Sequence, residues 1–386
     1  MLSPRTLITL ACIITTGVLF NIYSCKKNDQ AVFVDPLAAL NLPSTPFNYA
    51  SQSLPFYMNT PLITGQDNTP INNPVTDWGA TLGRVLFYDK TLSINNTISC
   101  ANCHKQQFAF SDDHVFSIGF AGGSTTRNSM SLINTKYFPA GRFFWDERAA
   151  TLENQTLTPI QDHIEMGMRL DTLINRLKAK SYYPVLFQKA FGDQQINSDR
   201  VARSLAQFVR SIISFQSKFD DGRKLIPPGQ DPILTDYPNF TPQENQGKQL
   251  FFSPLTVCNT CHGTETFTAP GNRNNGIENP SVDRGVGAIT NAPQQNGNFK
   301  VPSLKNIELT APYMHDGRFA TLEQVIEHYN SGLANHPNLA PQLKDPAGNP
   351  KRLNLTPDQK ASLVTFLKTL TDRTITTDEK FSNPFR

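Results

Sequence analysis

The sequence predicts a mainly helical protein built from two similar halves. Two near-identical pentapeptides, Cys100-Ala101-Asn102-Cys103-His104 and Cys258-Asn259-Thr260-Cys261-His262, stand far apart in a chain with only 6 Cys. Apolar residues around them recur at helical spacing behind helix-start signals. No stretch alternates apolar and polar residues as a half-buried strand does.

Composition sets the outer limits. A chain of 386 residues is long enough for two domains of ordinary size. A formal charge of +3 with 17% charged residues gives no electrostatic signature for nucleic acid or an anionic surface. The 26 Phe supply core material, and 28 Pro with 22 Gly predict long irregular connections.

In chain order, residues 1–25 read as an export signal. One early Arg precedes an apolar run too short and too interrupted by Thr and Gly to span a membrane well. Ser24-Cys25 before "KKNDQ" resembles a lipoprotein cleavage site, which would lipidate Cys25 and anchor the chain in the cell envelope, in the periplasm or on the outer membrane. Tyr23 is unusual there and leaves ordinary signal cleavage open. Residues 26–75, with Pro at 36, 43, 46, 55, 61, 70 and 74, read as a tether or wrapping segment.

Two similar units follow. "WGATLGRVLFYDKTLSINNTISCANCH" and "TPQENQGKQLFFSPLTVCNTCH" share the order Gly, basic, apolar, Phe, aromatic, pentapeptide. Thr241-Pro242-Gln243-Glu244 is a capping box with Pro at the first helical position. Apolar residues at 201, 205, 208, 209, 212 and 213 predict a helix over 198–221, and "TPDQKASLVTFLKTL" predicts another over 356–370. Residues 264–300, rich in Asn, Gly and Pro, read as one long loop of the kind that carries function.

Each pentapeptide is C-x-x-C-H. Its two thiols are spaced for thioether bonds to one edge of a haem, with the His as axial ligand. A zinc site would not need His directly after each pair, and a redox dithiol would appear once, in a βαβ setting. The expectation is two c-type haems, one in each of two cytochrome c-like domains, 76–225 and 226–386.

Three further stretches carry a family resemblance: "LGRVLFYDKTLSINNTISCANCH", "RFFWDERAATLENQTLTPIQDHIEMG" and "FKVPSLKNIELTAPYMHDGRFATLEQVIEHYNSG". They resemble the bacterial di-haem cytochrome c peroxidases and their MauG relatives, in the family's order, from about residue 75 to 370. The resemblance implies that His104 holds the haem that reacts with hydrogen peroxide. It implies Glu165 as acid–base carboxylate, Gln155 as its neighbouring amide, and Pro159 as a residue crowding the haem face. Trp145 takes the place of the tryptophan between the haems. Asn128, Thr310 and Pro312 match residues around an inter-haem Ca²⁺, two through backbone carbonyls, an oxygen set of the kind that ion prefers.

Two positions assign the branch. Where peroxidases needing reductive activation carry a blocking His, "FSIGFAGG" has Phe120, which cannot bind iron. Fourteen residues after His315, where they carry a ligating Met, stands Tyr329, as in MauG. A phenolate there favours ferric and higher iron; His328 as ligand, or no sixth ligand, stays open. His114, His163, Met130, Met166 and Met168 are further residues able to block the first iron. The implied activity is peroxide activation at an open haem, with oxidising equivalents passing to a second haem. Electrons would come from a cytochrome c or cupredoxin donor. The rivals are MauG-like oxidation of Tyr or Trp side chains on a partner protein, and a non-catalytic electron-transfer cytochrome.

Overall fold

Two crossing helix pairs carry the cores. Helix Asp77–Tyr88 lies across helix Ser198–Ser211, and a Cβ on Gly83 would fall 2.0 Å from the Ser204 carbonyl oxygen. Helix Pro242–Phe251 lies across helix Pro357–Lys368, and a Cβ on Gly247 would fall 1.9 Å from the Ser362 carbonyl oxygen. The glycine shared by "GRVLFY" and "GKQLFF" is thus where two backbones touch. The basic residue after it, Arg84 or Lys248, is fully buried in each case.

The computed structural model describes residues 35–139, 141–227 and 229–386. The leader with Cys12 and Cys25, and tether residues 26–34, lie outside the described residues. Residues 36–386 form one compact unit. Among the described residues no helix is long and apolar enough to cross a membrane.

The first core gathers Leu82, Leu86, Phe87, Phe110, Leu205 and Phe208, joined by Ile375 and Phe381 from the chain's end. The second gathers Phe219, Phe251, Phe267, Leu363, Phe366 and Leu367. Each such side chain removed from water stabilises the fold by about 1.5–3 kcal/mol. Segment 35–75 wraps rather than hangs: Tyr49, Tyr57, Met58 and Ile63 are buried. Its regular structure is one 3-10 turn, Phe56–Asn59, and one helical turn, Pro61–Thr64.

The sequence expectations need three corrections. The helix predicted over 198–221 stops at Ser211 and resumes as Lys218–Lys224. Between them the backbone bonds to distant partners: the Ile212 carbonyl accepts from Asn134 N–H, Ser214 N–H donates to Asn134 Oδ1, and Gln216 N–H donates to Asp372. Tertiary partners outbid helical propensity. Residues 264–300 are not one loop, since Val286–Thr290 is helical. The same stretch holds the strands Asn272–Arg273 and Phe299–Lys300, paired antiparallel with Asn272 opposite Lys300. Two-residue strands are too short for alternation to reveal. Helices Pro242–Phe251 and Pro357–Lys368 start as predicted, each on a Thr capping box with Pro at the first turn.

Under the second core, Lys305 and Asp220 form an ion pair with both side chains fully buried. Tyr57 OH donates to the same carboxylate at 2.7 Å, and Ser217 adds a further donor.

Candidate functional site

Both pentapeptides form a single helical turn, Cys100–Cys103 and Asn259–His262. Each His is oriented by a carbonyl a few residues on: His104 Nδ1–H donates to Phe110 at 3.0 Å, and His262 Nδ1–H to Phe267 at 3.0 Å. That bond fixes the tautomer and leaves Nε2 free as a ligand. Burial lowers both imidazoles below their ordinary range, His262 to about 4, so both are neutral.

The four thiols are unpaired. Burial pushes Cys100 up to about 12, and Cys103 and Cys258 up to about 11. Thiols pushed upward in this way, at Cys100, Cys103 and Cys258, are poor redox nucleophiles. They suit permanent thioethers, so the donor sets fit c-type haem at both places.

Cys100, Cys103 and His104 open on a cavity of about 270 Å³. The same cavity is lined by Gln155, Pro159, Glu165, Trp145 and Asn128, so residues scattered over 66 positions of sequence meet at one place. Gln155 and Pro159 sit one turn apart on helix Leu152–Gln161, which starts on the Thr151 side chain. Pro159 has no N–H for the Gln155 carbonyl. Glu165 lies on the turn after that helix. Asp162 Oδ1 accepts from Ile164 N–H at 2.8 Å and Glu165 N–H at 3.1 Å, which holds the turn. Burial raises the Glu165 carboxyl to about 7, Asp162 pushing the same way and Arg148 opposing.

Phe120 is not on the cavity wall. Its N–H donates to the Glu165 carbonyl at 2.9 Å, and its ring lies where a Cβ on Gly167 would be, 2.6 Å away. Gly167 has φ +63°, so close approach and backbone angle both require glycine. Met130 and Met166 line the cavity; Met168 is core, and His163 and His114 are exposed, the latter beside Asp112 and Asp113.

Trp145 is held from three sides. Its indole N–H donates to the Asn128 carbonyl at 2.9 Å, its carbonyl accepts from Lys300 N–H at 2.8 Å, and its ring meets His315 edge-on at 6.5 Å. The Phe299 ring stacks on the His315 ring at 3.8 Å.

A likeness between the halves emerges here that the pentapeptides alone do not reveal. "WDERAATLE" (145–153) and "HDGRFATLE" (315–323) align without a gap, six of nine residues identical. Phe144 and Met314, then Glu147 and Gly317, take positive φ in both. Arg148 pairs with Asp146 as Arg318 does with Asp316. Thr151 and Thr321 cap the helices that follow. By this match Trp145 answers to His315, Gln155 to Val325 and Pro159 to Tyr329. Arg148 went unnoticed in the sequence, and His315 served there only as the mark from which Tyr329 was counted; this shared string is the signal that finds both.

Tyr329 sits in a π-helical turn, His328–Gly332, a form often found at functional sites. Burial raises its phenol to about 12, with the Asn275 amide opposing and Cys258 and Cys261 among its electrostatic neighbours. His328 Nε2–H donates to the Asn275 carbonyl at 3.0 Å and is occupied. Tyr329 thus lies within electrostatic reach of the second cysteine pair with the Asn275 side-chain amide on its hydroxyl, while the His328 Nε2 is taken by the Asn275 carbonyl.

Of the three residues expected around calcium, Asn128 reaches the 310–317 segment: its N–H donates to the His315 carbonyl at 2.7 Å. Its side-chain amide N–H groups go to the carbonyls of His114 and Val115, leaving Oδ1 to accept. Thr310 Oγ1 is bonded to Ile307, and among the described residues no hydrogen bond reaches the Thr310 or Pro312 carbonyl. Unengaged amide and carbonyl oxygens are the donor type a hard cation takes.

A helical chain with two neutral His beside two C-x-x-C pairs, one of them on a cavity with a carboxylate and an amide, is a c-type di-haem oxidoreductase in build. A family model described as di-haem cytochrome c peroxidase matches residues 78–224. The chain is 32% identical to the methylamine utilization protein MauG of Methylorubrum extorquens, over 78% of this chain and 80% of that one. It is 30% identical to cytochrome c551 peroxidase of Nitrosomonas europaea, over 81% and 84%. A solved MauG-like protein associated with microbial copper homeostasis superposes with TM-score 0.73 at 33% identity, covering 87% of this chain and 99% of that one. The chain belongs to the di-haem cytochrome c peroxidase/MauG family and is a peroxidase-type oxidoreductase.

Proposed function

We propose that the chain is an exported enzyme of the MauG-like branch, reacting with hydrogen peroxide at the first site and drawing oxidising equivalents to the second. The observation that carries this is the meeting of Glu165, Gln155, Pro159 and Trp145 on the cavity of His104. A haem held by Cys100, Cys103 and His104 would supply the iron that activates peroxide.

Glu165 takes the proton from one oxygen of peroxide and returns it to the other, which leaves as water. A carboxyl raised to about 7 by burial both accepts and gives that proton near neutral pH. The Gln155 amide orients peroxide by hydrogen bonding, and Pro159 limits what else fits. Phe120, packed on Gly167, puts no ligand in the way. Trp145 would relay electrons toward a second haem, which Cys258, Cys261, His262 and Tyr329 would hold. Val325, standing where Gln155 stands in the first half, leaves the second site without that amide. Asn128, Thr310 and Pro312 would hold a Ca²⁺ ion. We read residues 76–225 and 226–386 as two cytochrome c-like domains from one duplication, and Cys25 as a lipid anchor to the cell envelope.

Phe120 and Tyr329 favour a second reading of the outlet: a Tyr or Trp side chain of a partner protein, instead of a small donor protein, supplies the electrons. The test of the common core is optical and EPR spectroscopy of the oxidised protein before and after one equivalent of peroxide. A high-spin ferric signal that disappears quickly is expected. Two low-spin haems, inert to peroxide, would make the protein an electron carrier instead. High-spin signal appearing only after half-reduction would mean that a blocking ligand, Met130 or Met166, occupies the first site.

A further inference from the structure

The two His–carbonyl bonds have the same length but different support. Phe267, whose carbonyl holds His262, is packed by Phe219, Phe251 and Phe366 of the second core. Phe110, whose carbonyl holds His104, is fully buried with φ +57°, next to Ala109 at φ +51°. Two successive left-handed residues without glycine are costly and persist only where the surroundings impose them.

Part of that imposition comes from the far end of the chain. After helix Pro357–Lys368 the backbone leaves the second core and runs as a strap, 373–386, over the first. Phe381 enters the first core and meets the Phe110 ring edge-on at 6.3 Å. Gln106, two residues after His104, donates its amide to the carbonyls of Ile375 and Asp378 at 3.0 and 2.9 Å. Arg84 donates to the Glu379 carbonyl at 2.9 Å, Tyr88 OH to Phe381 at 2.7 Å, and Tyr49 OH to Lys380. The segment between Gln106 and Phe110 is thus gripped at both ends by the strap.

We propose that the C-terminal strap positions the His104 imidazole, with Phe381 and Gln106 acting through the Phe110 carbonyl. This rests on His104 being the axial ligand of the first haem. A firm Nδ1–H···O=C bond makes the imidazole a stronger electron donor and favours ferric iron. Loosening the strap weakens that bond and makes the first haem easier to reduce, while the second, backed by the second core, stays as it was.

The test uses the full-length holoprotein with Phe381→Leu and, independently, Gln106→Leu, which deletes only the two strap hydrogen bonds. The midpoint potential of each haem is followed by redox titration with optical and EPR detection. At a fixed potential, the reduced-to-oxidised ratio of the first haem should rise about tenfold in Phe381→Leu, equivalent to about 59 mV for one electron, and in the same direction in Gln106→Leu. The second haem should not move. Potentials that stay put in both variants, or that shift equally at both haems, would overturn the proposal. His104→Gly separates this from the underlying reading: a first-haem spectrum that ignores that change refutes the ligand assignment itself. A spectrum that responds, with unmoved strap variants, refutes only the strap.

Discussion

Glu165 owes its chemistry to what surrounds it more than to what it is. A solvated glutamate titrates too low to share a proton near neutrality; burial lifts this one to about 7, helped by Asp162 and resisted by Arg148. Because the raised group is protonated below about 7, the base needed to start the reaction is lost as pH falls. The rate of reaction with peroxide should therefore drop about tenfold per unit well below pH 7. Stopped-flow mixing across pH measures this, and a flat profile would remove Glu165 from the role. Glu165→Gln should slow the same step by about 10²–10⁴ and abolish the pH dependence, with both haems retained. Tyr329→Phe should change the spectrum of the second haem and leave the first reacting with peroxide; an unchanged second spectrum would show that the phenol is not its ligand. At this scale the sequence speaks clearly where residues sit in a motif, as Cys100 and His104 do. It is silent about Phe110 and Phe267, whose roles belong to backbone carbonyls that any residue type presents.

Helix starts were the most legible elements, because a cap is local chemistry. Thr241 accepts from Glu244 N–H while Glu244 returns to Thr241 N–H, as the four-residue string implies. Thr241→Ala should lower stability by about 1 kcal/mol, read by chemical denaturation of the holoprotein, with the spectrum of the adjacent CNTCH haem unchanged. Helix ends were less legible. The stop at Ser211 depends on Asn134 and Asp372, both remote in sequence, so no window around residue 211 contains the reason. The likeness of "WDERAATLE" and "HDGRFATLE" lay in plain view, yet its meaning needed the structure. Only there do Trp145 and His315 turn out to touch.

At the scale of the whole molecule, the halves are tied by charge as well as by strap. Arg127 pairs with Asp146 of the first half and, at 2.7 Å, with Asp283 of the second. The Lys305–Asp220 pair, fully buried, is the riskier device: Lys305→Met leaves the Asp220 charge buried and uncompensated, and should cost about 3–5 kcal/mol. The double variant Lys305→Met/Asp220→Leu should recover part of that loss in thermal or denaturant unfolding. A double variant no better than the single would show that packing, not charge, sets the penalty.

The strap also imposes an order in time. Ribosomes deliver residues 100–110 long before residues 373–386, yet Phe110 rests on Phe381 and Asn41 N–H waits for the Pro384 carbonyl. The first half to be synthesised is the last to be finished. A premature stop codon past residue 372, or a bulky tag fused to Arg386, would spare the later half and strike the earlier one.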